Sequence, residues 1–361
     1  MSRGFLANGV LLALVFLALF FLPLGTAWGE GGAPDAAPSP SPSPSAEGDF
    51  DWVACACGCS IFDVGDVYSM APTNPTGGIL WFRYAYMNQN QNWEGSHPAP
   101  ASDNPDKDLE TNFYFLGGQY TFNRQWTVMA ELPAFGRKFT STDDGTVQGP
   151  DGSLYTAGLF SLGDFKLMAD YTGVSKDMST GLMLGFKLPT GQWQPVTGRL
   201  GGTAIDRDSM PGTGSTDLML GAYHVGSLTP DHQWPYQLQA NYSMAFAIQQ
   251  DYRPGNELDV AAGLGHTVGS VGSVEVTPWL SLLGSYRGHD TGDNADFLNS
   301  GYSRILLAPG VDLRWGKWEV YTDVEFPLFQ YTNSAADTSI EGNAGQLTAN
   351  QLYKFQLTRM F

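Results

Sequence analysis

From Ile79 to the end of the chain, apolar and polar residues alternate in runs of about ten, and turn-forming residues separate the runs. In 79–87, Leu80, Phe82, Tyr84 and Tyr86 share one face, while Trp81, Arg83 and Ala85 share the other. In 180–188, Leu182, Leu184, Phe186 and Leu188 oppose Met183 and Lys187. The cleanest case is 235–247, where Tyr236, Leu238, Ala240, Tyr242, Met244 and Phe246 separate from Gln237, Gln239, Asn241 and Ser243. The last run, 350–361, sets Tyr353, Phe355, Leu357, Arg359 and Phe361 against Leu352, Lys354, Gln356, Thr358 and Met360. Each run reads as a strand with one greasy face.

The pattern predicts strands over 79–87, 110–122, 125–135, 162–171, 180–188, 215–225, 235–247, 257–267, 273–283, 301–314, 317–328 and 350–361. Long polar links alternate with short turns, so every long link falls on one side. A soluble sandwich has no reason to sort its loops in this way. The expected fold is therefore all-β: a transmembrane antiparallel up-and-down β-barrel of about twelve strands, with its apolar face toward lipid and both ends in the periplasm. Phe361, a terminal aromatic on the closing strand, reads as a signal to the outer-membrane assembly machinery. Arg359 interrupts the lipid face and is expected at the periplasmic interface, where it can snorkel.

The chain before the barrel divides into three parts. Residues 1–27 have a basic start, an apolar core and a small-x-small site ending at Ala27, which predicts a secretory signal peptide. Residues 28–50 form a Pro/Ser-rich linker too poor in bulky side chains to bury a core. Residues 51–78 hold all 3 cysteines, Cys55, Cys57 and Cys59, in a segment expected in the periplasm. Alternate spacing in an extended chain puts their sulfurs on one side, where they can chelate a soft metal, Cu(I) or Zn(II). An oxidising compartment opens other outcomes: a disulfide with one thiol left over, or a structural plug. Residues 79–361 are the barrel.

Composition narrows the function. With 44 glycines, 13% aromatic and only 15% charged residues, the chain is not disordered, and a net charge of -18 gives nucleic acid no basic footprint. The expected partners are outer-membrane lipid, lipopolysaccharide bridged through divalent ions, and a small solute. Opposite the lipid face, the strands carry Arg83, Glu131, Asp164, Lys166, Asp170, Lys187, Asp217, Asp259, Glu275, Arg304, Asp312, Arg314, Glu319, Asp323, Glu325 and Lys354. Charges of both signs there form either a hydrated selectivity zone or a cross-linked polar core. The link over 203–217 concentrates Asp206, Arg207 and Asp208 beside glycines; it reads as a solvated surface loop, with a lumen constriction or a divalent-ion site as alternatives. No catalytic residues are assigned. The 5 histidines share no setting with a serine, and no Gly-x-Ser-x-Gly occurs.

Several segments carry a family resemblance: Gly163-Asp-Phe-Lys166, Gly185-Phe-Lys-Leu-Pro-Thr-Gly191, Gly212-Thr-Gly-Ser-Thr-Asp217, Tyr252-Arg-Pro-Gly-Asn-Glu257, Asn299-Ser-Gly301 with Ala308-Pro-Gly310, and Phe326-Pro-Leu-Phe-Gln330. In this order they resemble the bacterial outer-membrane transporter family linked to meta-pathway phenol degradation. The resemblance implies an outer-membrane barrel with a transport role and brings no catalytic residues. The Cys-x-Cys-x-Cys segment lies outside that family's pattern and suggests a specialised branch. The expected function is a channel or transporter for a small solute. The alternative is a non-transporting scaffold whose cysteines bind a soft metal or a redox partner.

Overall fold

The computed structural model describes residues 77–123, 125–142, 153–176, 178–194, 207–334 and 345–361. The signal peptide, the linker, Cys55, Cys57, Cys59 and Asp206 lie outside the described residues. The strands are β1 (Gly77–Glu94), β2 (His97–Pro98), β3 (Asp106–Asn123), β4 (Trp126–Ser141), β5 (Tyr155–Leu162), β6 (Phe165–Tyr171), β7 (Thr180–Leu188), β8 (Thr216–Ser227), β9 (Pro235–Ala247), β10 (Glu257–Gly265), β11 (Gly269–Val271), β12 (Val274–Arg287), β13 (Tyr302–Trp315), β14 (Trp318–Thr332) and β15 (Gln346–Met360). Of these, 12 close into an antiparallel ring, in which β1 pairs with both β3 and β15 and β10 pairs with β12. The other three are attachments: β2 on β1, β5 on the upper part of β4, and β11 on β12.

Closure follows from the strand pattern. An open sheet leaves a row of unpaired backbone groups, which a bilayer cannot solvate; a closed ring leaves none. The period of two then sorts side chains inward and outward. On β1, Trp81, Arg83, Ala85 and Met87 are buried on the inside, whereas Leu80 (53% exposed) and Phe82 (41%) point out. Leu116, Leu167, Leu184, Leu220, Leu264 and Leu282 continue the outward belt around the ring. Exposed apolar side chains on almost every strand would be intolerable in water, and lipid is the solvent that suits them. The protein is an outer-membrane-type barrel.

Short turns lie on one rim and long loops on the other. At the β3–β4 turn, the Asn123 side chain accepts from the backbone N–H groups of Gln125 (2.9 Å) and Trp126 (3.0 Å), closing an Asx turn. At the β13–β14 turn, Gly316 adopts a φ of 56°, a left-handed value that a two-residue hairpin requires. Arg359 lies on this rim, exposed, with its guanidinium 4.9 Å from the Trp318 ring centre and 5.2 Å from that of Phe361.

Two features depart from the sequence reading. Several strands outrun the apolar pattern on the long-loop side: β1 reaches Glu94 rather than 87, β4 reaches Ser141 rather than 135, and β14 reaches Thr332 rather than 328. Hydrogen bonding continues past the lipid belt, where alternation of hydrophobicity no longer marks it. The expected strand over 162–171 is interrupted at Gly163 and Asp164, with β5 and β6 on either side. Pro133 faces the break, between the Glu131↔Lys166 and Ala134↔Leu162 pairs, and it has no N–H to give.

Candidate functional site: the lumen and its wall

Parity places the charged residues of the inner face, and the register decides which of them meet. Glu131 on β4 sits at the height of Lys166 on β6 and, across Gly117 of β3, of Trp81 on β1, two residues from Arg83 on the same face. Its Oε2 accepts from Arg83 Nη2 at 2.8 Å and from Trp81 Nε1 at 3.3 Å, while its Oε1 lies 3.8 Å from Lys166 Nζ. Arg83 also stacks 4.4 Å over the Phe115 ring. Gly117 makes this approach feasible: a Cβ there would stand 2.1 Å from the Trp81 indole, which lies flat over the β3 backbone.

Three further groups repeat the arrangement around the ring. Lys187 bonds Asp217 at 2.6 Å and stands 3.9 Å from Asp164. Lys354 lies 2.9 Å from Glu325 and 3.7 Å from Asp323, which also accepts from the Tyr321 hydroxyl at 2.9 Å. Arg314 lies 3.3 Å from Glu319 and 3.7 Å from Asp312. Arg304 stacks 4.6 Å over the Tyr302 ring, whose hydroxyl donates to Glu257 at 2.7 Å. Asp259 accepts from Ser285 at 2.5 Å, and Glu275 is exposed on the short-turn rim. Asp170 differs: it is buried and accepts from the Tyr223 hydroxyl at 2.7 Å. The inner wall is thus largely cross-linked by buried ion pairs, whose partners depend on each other because an unpaired buried charge is costly.

The loop between β7 and β8 is not simply a solvated surface loop. Asp164, buried at the break between β5 and β6, accepts from Gly191 N at 3.0 Å, Thr213 N at 2.8 Å and Thr213 Oγ1 at 2.9 Å, drawing both ends of the loop inward. Arg207 lies between two rings, 4.7 Å from Trp193 and 4.5 Å from Tyr252, and donates to the carbonyls of Trp193 and Thr213 at 2.5 and 2.6 Å. Burial pulls its pKa below the usual arginine value, with Tyr252, Asp164, Asp208 and Asp290 acting in the opposite direction. Beyond it, Arg137 on β4 donates to the Ser209 carbonyl, and Met210 packs among Leu109, Phe139, Ala157 and Leu347. The segment from Arg207 to Met210 therefore spans the mouth from its roots at β7 and β8 to the wall of β3, β4, β5 and β15. Tyr252, buried and bonded to Asp290 at 2.6 Å, belongs to one of the segments that carry the family resemblance, but its place in a loop gives no periodic signal of an inward role.

One part of the wall lacks a ladder. β14 and β15 pair from Trp318↔Arg359 to Glu325↔Leu352 and no further, although β14 runs on to Thr332 and β15 begins at Gln346. Both lips carry irregularities: β14 slips against β13 between Ile305 and Leu306, and β15 slips against β1 between Met87 and Gln89. Pro327, on the lip, cannot donate. A Gly95↔Thr332 bridge closes the top of the gap. The resulting cleft is lined on the inner side by Arg304, Leu306 and Glu325, and it reaches the outward residues Tyr331 and Gln351.

No family model matches this chain, and no curated protein does. Among solved structures, an outer membrane channel from Pseudomonas putida F1 aligns with a TM-score of 0.56 at 14% identity, covering 83% of this chain and 100% of that one. The β domain of the Bordetella autotransporter BrkA aligns with a TM-score of 0.44 at 13% identity, covering 79% of this chain and 100% of that one. The monoaromatic hydrocarbon channel CymD aligns with a TM-score of 0.43 at 10% identity, covering 83% of this chain and 94% of that one. The first of these shares its fold with this chain, a closed antiparallel β-barrel.

Proposed function

We propose that this protein is an outer-membrane channel for a small solute, which enters past the β7–β8 loop and leaves sideways through the cleft between β14 and β15. The cleft carries the reading. It joins an inner surface of buried charges to the lipid-facing surface at a place where the ladder has stopped, so passage there need not break a continuous row of backbone hydrogen bonds. Met87, Leu306, Leu347 and Leu352 line it beside Arg304 and Gln330, a mixture suited to a small, mainly apolar molecule with one polar group. In this reading the long loops face outward, and both ends of the barrel are periplasmic after removal of the signal peptide. Arg359 sits at the periplasmic headgroups, acidic loops bridge to lipopolysaccharide through divalent ions, and Phe361 is the handle for the assembly machinery. Membership in the transporter family linked to phenol degradation belongs to the same proposal, as does the absence of an enzymatic role.

Purified protein in planar bilayers and in liposomes tests this reading. Conductance steps, or uptake of small aromatic solutes above the protein-free rate, are expected. Silence in the first together with baseline uptake in the second would sink the channel and leave the scaffold. The spacing of Cys55, Cys57 and Cys59 favours that second reading; equal metal content in the parent and in a triple Cys→Ser variant would reject it.

A further inference from the structure

Asp170 stands apart from the other inward carboxylates. Glu131, Asp164, Asp217, Asp312, Glu319, Asp323 and Glu325 each lie within 3.9 Å of a lysine or arginine nitrogen. Asp170 is 6% exposed, its Oδ2 is bonded only to a neutral phenol, and its Oδ1 meets no donor among the described residues. A carboxylate buried in this way calls for a positive charge, because desolvation without compensation is costly.

Thioethers lie beside it on the inner face, with Thr127 as its partner on β4. Met168 precedes Asp170 by two on β6 and shares its face, and Met183 on β7 is its cross-strand partner. Met129 on β4 pairs with Met168, and Met129, Met219 and Val225 pack against the buried group of Met168, Met183 and Tyr223. Small residues hold this floor open. A Cβ on Gly185 would lie 2.4 Å from Met168 Cγ, one on Gly221 2.5 Å from Met183 Cε, and one on Gly181 2.3 Å from the Tyr223 ring. The two methionines and the tyrosine that reaches Asp170 therefore lie flat along the wall. Methionine is a common filler of irregular gaps, but filler needs no buried anion beside it. Thioethers are soft ligands, and soft ligands select Cu(I).

We propose that Met129, Met168, Met183, Met219 and Asp170 form a binding site for a soft monovalent cation, Cu(I), in which the thioether sulfurs supply the ligands and the carboxylate supplies the charge. Asp170 is deprotonated when the ion is bound, and the Tyr223 hydroxyl holds its Oδ2. The site stands whether or not the lumen conducts, and it does not involve Cys55, Cys57 or Cys59.

The test uses folded full-length protein in detergent, with Cys55, Cys57 and Cys59 each changed to Ser so that thiolates cannot contribute. Cu(I) is presented as its bicinchoninate complex. The Cys-free protein is expected to withdraw Cu(I) from the chelator, and copper-edge X-ray absorption is expected to show sulfur neighbours. Met168→Leu with Met183→Leu, near-isosteric changes that preserve packing, should weaken retention at least about tenfold, and Asp170→Asn should weaken it while leaving the sulfur signature. The heat-modifiable mobility of the folded barrel on gels confirms that each variant has formed. Failure of the Cys-free protein to retain Cu(I), absence of sulfur neighbours, or unchanged retention in either variant would overturn the proposal. The absorption measurement needs no methionine variant and decides the matter even if those variants do not fold.

Discussion

Glu131 on β4 accepts a hydrogen bond from Arg83 on β1 at 2.8 Å, with the whole of β3 between their strands. The pair ties three strands together from inside, and Lys166 adds a fourth. Glu131→Leu removes the carboxylate these cations share and should destabilise the barrel by about 3–5 kcal/mol. Glu131→Gln, which keeps an acceptor for Trp81, should cost less. Urea unfolding in detergent micelles, followed by tryptophan fluorescence, measures both; a Leu variant as stable as the parent would show that the network does not support the wall.

Gly117→Ala tests the same site without touching a charge. The new Cβ would meet the Trp81 ring, so the indole must lift from β3 and lose its bond to Glu131. Overpacking of this kind costs about 1–3 kcal/mol, and the near-ultraviolet circular dichroism of tryptophan should change with it. An unaltered spectrum and midpoint would mean that Trp81 does not lie as described.

Asp164 is the anchor of the inward loop. Asp164→Ala abolishes its bonds to Gly191 and Thr213 and should release the loop from the mouth while the ring of strands persists. The expected result is a larger or noisier single-channel conductance with little loss of heat-modifiable folded barrel. If the conductance stays at the parental level, the loop does not limit passage.

Depth in the bilayer should grade the tolerance for charge on the outer face. Leu184 lies in the middle of the short strand β7 and is 51% exposed, so Leu184→Arg should cost about 2–4 kcal/mol, the range for a basic residue at the midplane of a barrel. Arg359 already sits on the outer face, at the rim against Trp318 and Phe361, and Arg359→Leu should change stability by less than about 1 kcal/mol. Equal costs for the two changes would contradict the register of β15.

Much of the architecture was legible because its signal is local. The bounds of β7 and β9 coincide with the expected 180–188 and 235–247, since there the alternation of apolar and polar residues runs the full length of the strand. The same period assigned Arg83, Glu131, Lys166, Asp170, Lys187, Asp217, Asp312, Arg314, Glu319, Asp323, Glu325 and Lys354 to the inner face. It did not show where β1 and β14 end, because the strand is then paired outside the lipid and polarity no longer alternates. The four inward methionines, on β4, β6, β7 and β8, were visible one by one in that pattern, but nothing in the linear order brings them together.

The sequence by itself therefore determined that the chain is a membrane barrel, how many strands close it and which side of each strand meets lipid, because each of these depends on neighbours two residues apart. Only the tertiary structure decided which charges pair, that Arg207 and Met210 turn into the mouth, that β14 and β15 part beyond Glu325, and that Asp170 meets no lysine or arginine among the described residues. Those facts depend on the relative register of strands distant in sequence. A shift of two residues in any strand would leave every polar residue facing the lumen and change the partner of each.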